Sequence, residues 1–496
     1  MAVVIAIDAG TTGVRSVAVD ESGTPIEFRY REFPQHFPRP GWVEHDAGEI
    51  WQAVEATLGE LISALDQPVA AIGITDQRET IVAWDRATGE PRHRALVWQD
   101  RRTAARCHEL EQEGHLDLVR GTTGLVLDPY FSATKAEWLL GPGGVAADAD
   151  LALGTIDSWL IWKLTDGEVF ATDTTNASRT MLFDIGTLRW SAQLCDLLGV
   201  PLTALAEVQP SSGRFGVTAP GCVAGPGIPI SGVAGDQQAA LFGQACLQPG
   251  MTKVTYGTGS FVLMNIGRSC PAPVDGLLTT VAWTLAEGAT TYALEGAVFV
   301  TGAAVQWLRD GLGIIEDAAQ VNELAASVDS SGGLYFVPAL VGLGSPWWDP
   351  YARGTIVGIT RGTGRGELAR ATLESIAYQA RDVVDHMSST GGQAVTALRA
   401  DGGASRSDLL MQLQADQLRV PVSRPTVTET TALGAALLAG LAEGVWSSLE
   451  EVSGAWRLER EFLPLLDAAT ADAAHSEWLR ALDRSRGWSV AAEGER

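Results

Sequence analysis

The sequence predicts an α/β protein built from two related lobes that face one phosphate chain. Three observations carry this. Buried-strand patterns alternate with 3.6-residue helical patterns along most of the chain. At 496 residues the chain exceeds one ordinary domain. Two hairpins of one design stand in its two halves: Val3–Asp20, VVIAIDAGTTGVRSVAVD, and Thr252–Asn265, TKVTYGTGSFVLMN. In each, an apolar strand runs into a Gly/Thr turn and a second strand leaves it. Hydroxyls and amide N–H groups then crowd at the tip, an arrangement suited to an anion. Gly257 and Gly259 are expected to turn with φ > 0.

Taken in order, Val3–Ile7, Val14–Asp20 and Pro25–Arg29 read as strands. Asp46-Ala47-Gly48-Glu49 has the form of a capping box. Ile50, Trp51, Val54, Leu58, Leu61, Ile62 and Leu65 follow at helical spacing. Ala70–Thr75 is a buried strand that delivers Asp76-Gln77-Arg78-Glu79-Thr80, and Ile228–Ala234 is another that delivers Gly235-Asp236-Gln237-Gln238. Gln248-Pro249-Gly250 breaks the chain just before the second hairpin and sets the expected domain boundary. Beyond it, Thr291–Leu294 is a strand, and a helix is expected over Val298–Leu308, beginning near Gly296. Further helices are expected over Glu367–Asp385, Ser407–Leu418 and Val427–Ala442, with a strand at Val395–Ala400. The expected units are a first lobe over 1–250, a second over 251–443 and a mainly helical tail over 444–496.

Composition narrows the function. Net charge is −25, with 46% hydrophobic and 19% charged residues. That field disfavours nucleic acid and anionic membrane surfaces as partners. It would also repel ATP, so a phosphate site here needs local donors. Five scattered cysteines without a CxxC argue for reduced thiols and against structural zinc. The longest apolar run, Ala432–Ala442, is too short for the ~20 residues that span a bilayer. No basic-plus-apolar signal segment precedes Val3, so the chain reads as an acidic cytoplasmic enzyme without membrane insertion.

Several residues invite chemistry. Asp8, ending a buried strand in Asp-Ala-Gly-Thr-Thr-Gly, suits a hydrated Mg²⁺ beside phosphate oxygens, or an ordinary turn. Arg15 offers a positive charge, or only a surface strand residue. Gly402-Gly403, between strand and helix, allows a flat ring or ribose to approach the backbone, or forms a plain β–α turn. At a bend, Arg78 could donate to and Glu79 accept from polyol hydroxyls; a solvated turn is the alternative. Asp236 suits a proton acceptor for an attacking hydroxyl, or the N-cap of the helix after it. Trp98, Tyr130 and Phe261 suit a pocket wall or the core. No Walker A sequence, complete GxGxxG, Ser-His-Asp set or HExxH occurs.

These segments together resemble the FGGY family of carbohydrate kinases, in its glycerol-phosphorylating branch. The match runs through DAGTT at Asp8, PGWVEHD at Pro40, GITDQRET at Gly73, VWQDRRT at Val97, DPYFSATK at Asp128 and TNASRTMLF at Thr175. It continues through ISGVAGDQQAALFGQ at Ile230, TYGTGSF at Thr255, ALEGAVF at Ala293, WDPYARG at Trp348, RATLESIAYQ at Arg370, DGGAS at Asp401 and TALGAA at Thr431. The resemblance implies the two-lobed actin-like ATPase (ribonuclease H-like) fold with its active site in the interdomain cleft. It implies transfer of the ATP γ-phosphoryl group to glycerol, and a dimer or tetramer of identical chains. Arg78, Glu79, Tyr130, Asp236 and Gln237 would then bind glycerol, with Trp98 and Phe261 lining the pocket and Asp236 as base. Thr11, Thr12, Gly13, Arg15, Thr258, Gly302, Gln306, Gly403 and Ser407 would contact the nucleotide, and Asp8 would serve Mg²⁺.

Three positions depart from the family pattern. Ser407 stands where many members carry Asn, and Asp76 replaces the Asn before QRET, adding a carboxylate near the substrate loop. Gly227 occupies the Arg position of a loop through which some bacterial relatives bind fructose 1,6-bisphosphate. Weak or no inhibition by that bisphosphate is therefore expected, and inhibition at low micromolar concentration in a steady-state assay would overturn this. Competing readings are another FGGY kinase, acting on a tetritol, pentulose or dihydroxyacetone, and a non-catalytic binding regulator on the same fold.

Overall fold

A computed structural model describes residues 2–489; the end of the expected tail, 490–496, lies outside them. The first half forms a sheet from β1 (Val3–Ala9), β2 (Gly13–Val19), β3 (Pro25–Glu32), β4 (Val69–Asp76) and β5 (Pro229–Gly235). Their order is β3-β2-β1-β4-β5, with Ser212–Val217 at the β5 edge. β1 runs antiparallel to β2 and parallel to β4, and β4 is parallel to β5. Strands of this parallel centre are covered on both faces, which is why Val4, Ile5, Ala6 and Ile7 are consecutively apolar and fully buried. Helix α1 (Ala47–Ser63) covers one face through Ile50, Val54, Leu58 and Leu61. Asp46 caps it by accepting from the Gly48 and Glu49 N–H groups at 2.8 and 3.4 Å. Glu49 turns its carboxylate to His36 Nε2 at 3.1 Å rather than completing the expected capping box.

The second half repeats the design. β6 (Met251–Tyr256), β7 (Ser260–Gly267), β8 (Thr290–Val298), β9 (Ala397–Asp401) and β10 (Val422–Pro425) lie in the order β8-β7-β6-β9-β10. The relative directions match those of β3-β2-β1-β4-β5. Kinship of the lobes, read from two hairpins, thus extends to five strands each.

The helices that position the site are α2 (Asp236–Gly243), α3 (Gly302–Asp310), α4 (Arg365–Thr390), α5 (Asp408–Leu418), α6 (Thr430–Ala442) and α7 (Ala468–Asp483). One expectation fails: no helix begins near Gly296. β8 continues through Val298, paired with Ser260, and α3 starts only at Gly302. Gly296 is instead a point of close approach, where a Cβ would lie 2.3 Å from the Val383 side chain of α4.

Helix α6, assigned to the second lobe by sequence, packs between the lobes. A Cβ at Gly73 of β4 would sit 2.2 Å from Ala435 O, and one at Gly232 of β5 2.3 Å from Ala439 N. One apolar cluster joins Val4, Ala71 and Ala234 of the first sheet to α6 and to Leu263, Trp283 and Ala293 of the second half. The tail is likewise integrated: Leu458–Phe462 pairs with β10, and Trp478 of α7 stacks on Tyr378 of α4 at 5.3 Å. Among the described residues, no helix is long and apolar enough to cross a membrane.

Candidate active site

The second hairpin's tip is built into a helix N-terminus. Thr258 O accepts from the Thr301 and Ala303 N–H groups, both at 3.0 Å, and Gly257 O accepts from Gly302 N–H at 3.1 Å. A Cβ at Gly302 would fall 2.5 Å from Gly257 O, and one at Gly259 2.5 Å from Val298 O. The expected positive φ at Gly257 and Gly259 is not found. Gly259 and Gly302 are needed because backbone meets backbone with no room for a side chain. Thr258 is left exposed at the tip, with Gln306 one turn into α3. Gly402 does take φ +81°, against Tyr256 O, while the next residue, Gly403, faces open space.

The first hairpin offers Thr11, Thr12 and Gly13. Trp98 Nε1 donates to Thr11 Oγ1 at 3.0 Å, and Gln77 Nε2 braces the turn through Gly10 O at 3.1 Å. Gly13 is confined, its Cβ position lying 2.7 Å from Arg31 O. Arg15 pairs with Glu429 at the start of α6. Ser407 caps α5, its hydroxyl accepting from Leu410 N–H at 3.1 Å and donating to Asn322 Oδ1. That hydroxyl is engaged on both sides, so Asn322 joins the surroundings of this position.

Asp8 stands next to last in β1, across from Arg15 of β2 and Thr75 of β4. Burial first, then the charge of Asp236, raises its carboxyl to about 7; Arg15 opposes this and Glu429 adds to it. So much unbalanced negative charge suits a bound cation. Among the described residues no cluster of three or more His, Cys, Asp or Glu could hold a metal. Mg²⁺ commonly takes only one or two carboxylates plus water and phosphate oxygens, so the donor set fits it.

Arg78 and Glu79 are buried, which excludes the solvated turn. Glu79 adopts φ +62°, a left-handed conformation held by its surroundings, including Ser132 Oγ donating to its carbonyl at 2.8 Å. The bend brings both side chains to one place despite their adjacency. Arg78 Nε lies 3.3 Å from Asp236 Oδ1 and 3.7 Å from Glu79 Oε1. Its Nη2 donates to Tyr130 Oη at 3.3 Å, and its guanidinium lies 5.9 Å from the Phe261 ring centre. Trp98 meets Tyr130 edge-on at 5.5 Å. Gly235, not Asp236, is the N-cap of α2, and the Asp236 side chain is 32% exposed. Gln237, one residue on, accepts from Lys253 Nζ of the second lobe. Burial pushes that amine down to about 8, against Asp401 and Asp236.

The chain matches the N-terminal domain of the FGGY family of carbohydrate kinases over residues 3–243 and the family's C-terminal domain over 252–443. The chain belongs to the FGGY family of carbohydrate kinases. A glycerol kinase of Bordetella parapertussis is 54% identical over 503 residues, covering 99% of this chain and 98% of that one. Glycerol kinase 2 of Thermotoga maritima is 52% identical over 495 residues, covering 98% and 99%. The crystal structure of Plasmodium falciparum glycerol kinase with ADP superposes with a TM-score of 0.93 at 34% identity, over 98% of each chain. This FGGY kinase has the actin-like ATPase fold the resemblance implied, and it is an ATP-dependent enzyme.

The structure adds site residues that sequence reading passed over. Arg179 and Glu295 stand inside quoted segments, TNASRTMLF and ALEGAVF, yet nothing in their spacing marks them as neighbours of Arg78. Asp76, the carboxyl that stands where the family carries Asn, is fully buried, accepts from Asn176 Nδ2 at 3.0 Å, and its Oδ2 has no partner. Burial, then the charge of Asp157, pushes its carboxyl well above the usual range.

Proposed function

We propose that this FGGY kinase transfers the γ-phosphoryl group of ATP to a glycerol hydroxyl, giving sn-glycerol 3-phosphate and ADP. The observation that carries the reading is Asp236, a carboxylate open to the cleft at the first turn of α2. It stands beside the buried Arg78–Glu79 pair, and its charge acts on Asp8 of the first hairpin and on Lys253 of the second. Arg78 donates to the polyol and Glu79 accepts from it, while Trp98, Tyr130 and Phe261 face its C–H edges. Gln237, held by Lys253, adds a polar contact. Asp236 orients the attacking hydroxyl and takes its proton. Thr11, Thr12, Gly13, Thr258 and Gly302 position the phosphates, and Gly403 with Gln306 lies toward the base and ribose. Asp8 would hold Mg²⁺, which supplies neutralisation of charge on the phosphoryl group when bound. On the same family reading the enzyme works in the cytoplasm as a homo-oligomer.

An ATP-consumption assay over glycerol, a tetritol, a pentulose and dihydroxyacetone tests this. Glycerol should show the highest kcat/KM, and ATP hydrolysis without polyol should fall far below the glycerol-stimulated rate, because lobe closure excludes water. A pentulose preferred over glycerol would assign the site to another branch of the family. No turnover with any acceptor would favour a binding regulator.

A further inference from the structure

We propose that Glu295 is a positioning residue through which the second lobe sets the geometry of the polyol pocket in the first. Glu295 lies within β8 and is 0% exposed. Its Oε2 accepts from Arg78 Nη1 at 2.5 Å, and its Oε1 accepts from Arg78 Nη2 and from Arg179 Nη2, both at 3.0 Å. Arg179 in turn donates from Nε to Glu79 Oε1 at 2.7 Å. One second-lobe carboxylate therefore grips the Arg78 fork directly and Glu79 through Arg179. With its two Nη atoms held, Arg78 keeps only Nε toward Asp236. Burial would raise the Glu295 carboxyl, but Arg179 and Arg78 outweigh it and hold it at about 2, so the clamp stays charged at neutral pH.

Without this clamp, the Arg78 fork is free to turn onto Asp236. The polyol then loses its donor, and the proposed base becomes tied into a bidentate ion pair. Because Glu295 comes from the facing lobe, the pocket is complete only when the lobes are apposed. The inference rests on the polyol-kinase reading of this site. It does not require that glycerol be the preferred acceptor.

Glu295→Gln tests it, removing the charge and one acceptor at nearly constant volume. The polyol KM should rise at least ~10-fold, with kcat also lowered and the ATP KM within about two-fold of wild type. Polyol binding by calorimetry without nucleotide should weaken in parallel. A lower melting temperature with polyol KM and affinity within about two-fold of wild type would overturn the proposal, leaving Glu295 a purely structural ion-pair partner. Should that variant not fold, Arg179→Lys serves instead. It keeps the charge but lacks the planar fork that holds Glu79 and Glu295 together, and the same criteria apply. Each arm uses the acceptor that wild type turns over best. An inert wild type overturns the functional reading, whereas an active wild type with an unaffected variant overturns this inference.

Discussion

Replacing Asp236 by Asn should lower kcat by roughly 10²–10⁴-fold, the usual scale for loss of a general base. Steady-state rates with saturating ATP and glycerol measure it, alongside urea unfolding. The amide keeps the shape and a hydrogen bond to the acceptor hydroxyl but cannot take its proton. Stability should change little, because Gly235 occupies the cap position and Asp236 is part-exposed. Loss of a first-turn carboxylate costs about 0.3–1 kcal/mol through the helix dipole. Arg78 also retains its buried partner Glu295, so the pocket should persist. A variant within a few-fold of wild type would show that Asp236 only helps to seat Arg78 and its own helix.

Gly434→Ala should cost about 3 kcal/mol, the upper end of ordinary overpacking. A Cβ at this position of α6 would lie 1.8 Å from Ala239 O and 2.5 Å from Ala239 C, with Gly243 N at 3.0 Å. All three atoms are backbone of α2, which cannot yield as a side chain does. The gain in helix propensity, about 1 kcal/mol, offsets only part of this. Because α2 carries Asp236 on its first turn, a shift that relieves the clash moves the proposed base, and kcat should fall as well. Gly454→Ala is the control: its Cβ would meet nothing within 4 Å, so urea unfolding should show an unchanged or slightly raised midpoint. A Gly434→Ala protein as stable as wild type would show that the α2–α6 contact has slack.

Family, lobes and most of the candidate site were legible in the residues. Asp8, Thr258, Gly403, Arg78 and Asp236 each stand at a strand end or turn, where local chemistry shows through local sequence, whereas Gly302 came only through the family resemblance. Both hairpins were visible as strand–turn–strand, although the glycines of the second proved necessary for close backbone approach rather than for φ. The β8 boundary was misread because Gly296 resembles a helix start when the packing of Val383 against it is unseen.

What sequence by itself determined is therefore the set of parts: apolar strands long enough to bury, turns rich in N–H and hydroxyl groups, and the residue types of a phosphoryl-transfer site. Only the tertiary structure decided how the parts meet. It placed α6 between the sheets, joined the tail's strand to β10, and brought Glu295 onto Arg78, 217 positions away in sequence. The physical reason is one of range. Strand and helix patterns follow from neighbours a few residues apart. A charged carboxylate buried as Glu295 is stands because distant guanidiniums arrive to pair with it, and no local pattern records that arrival.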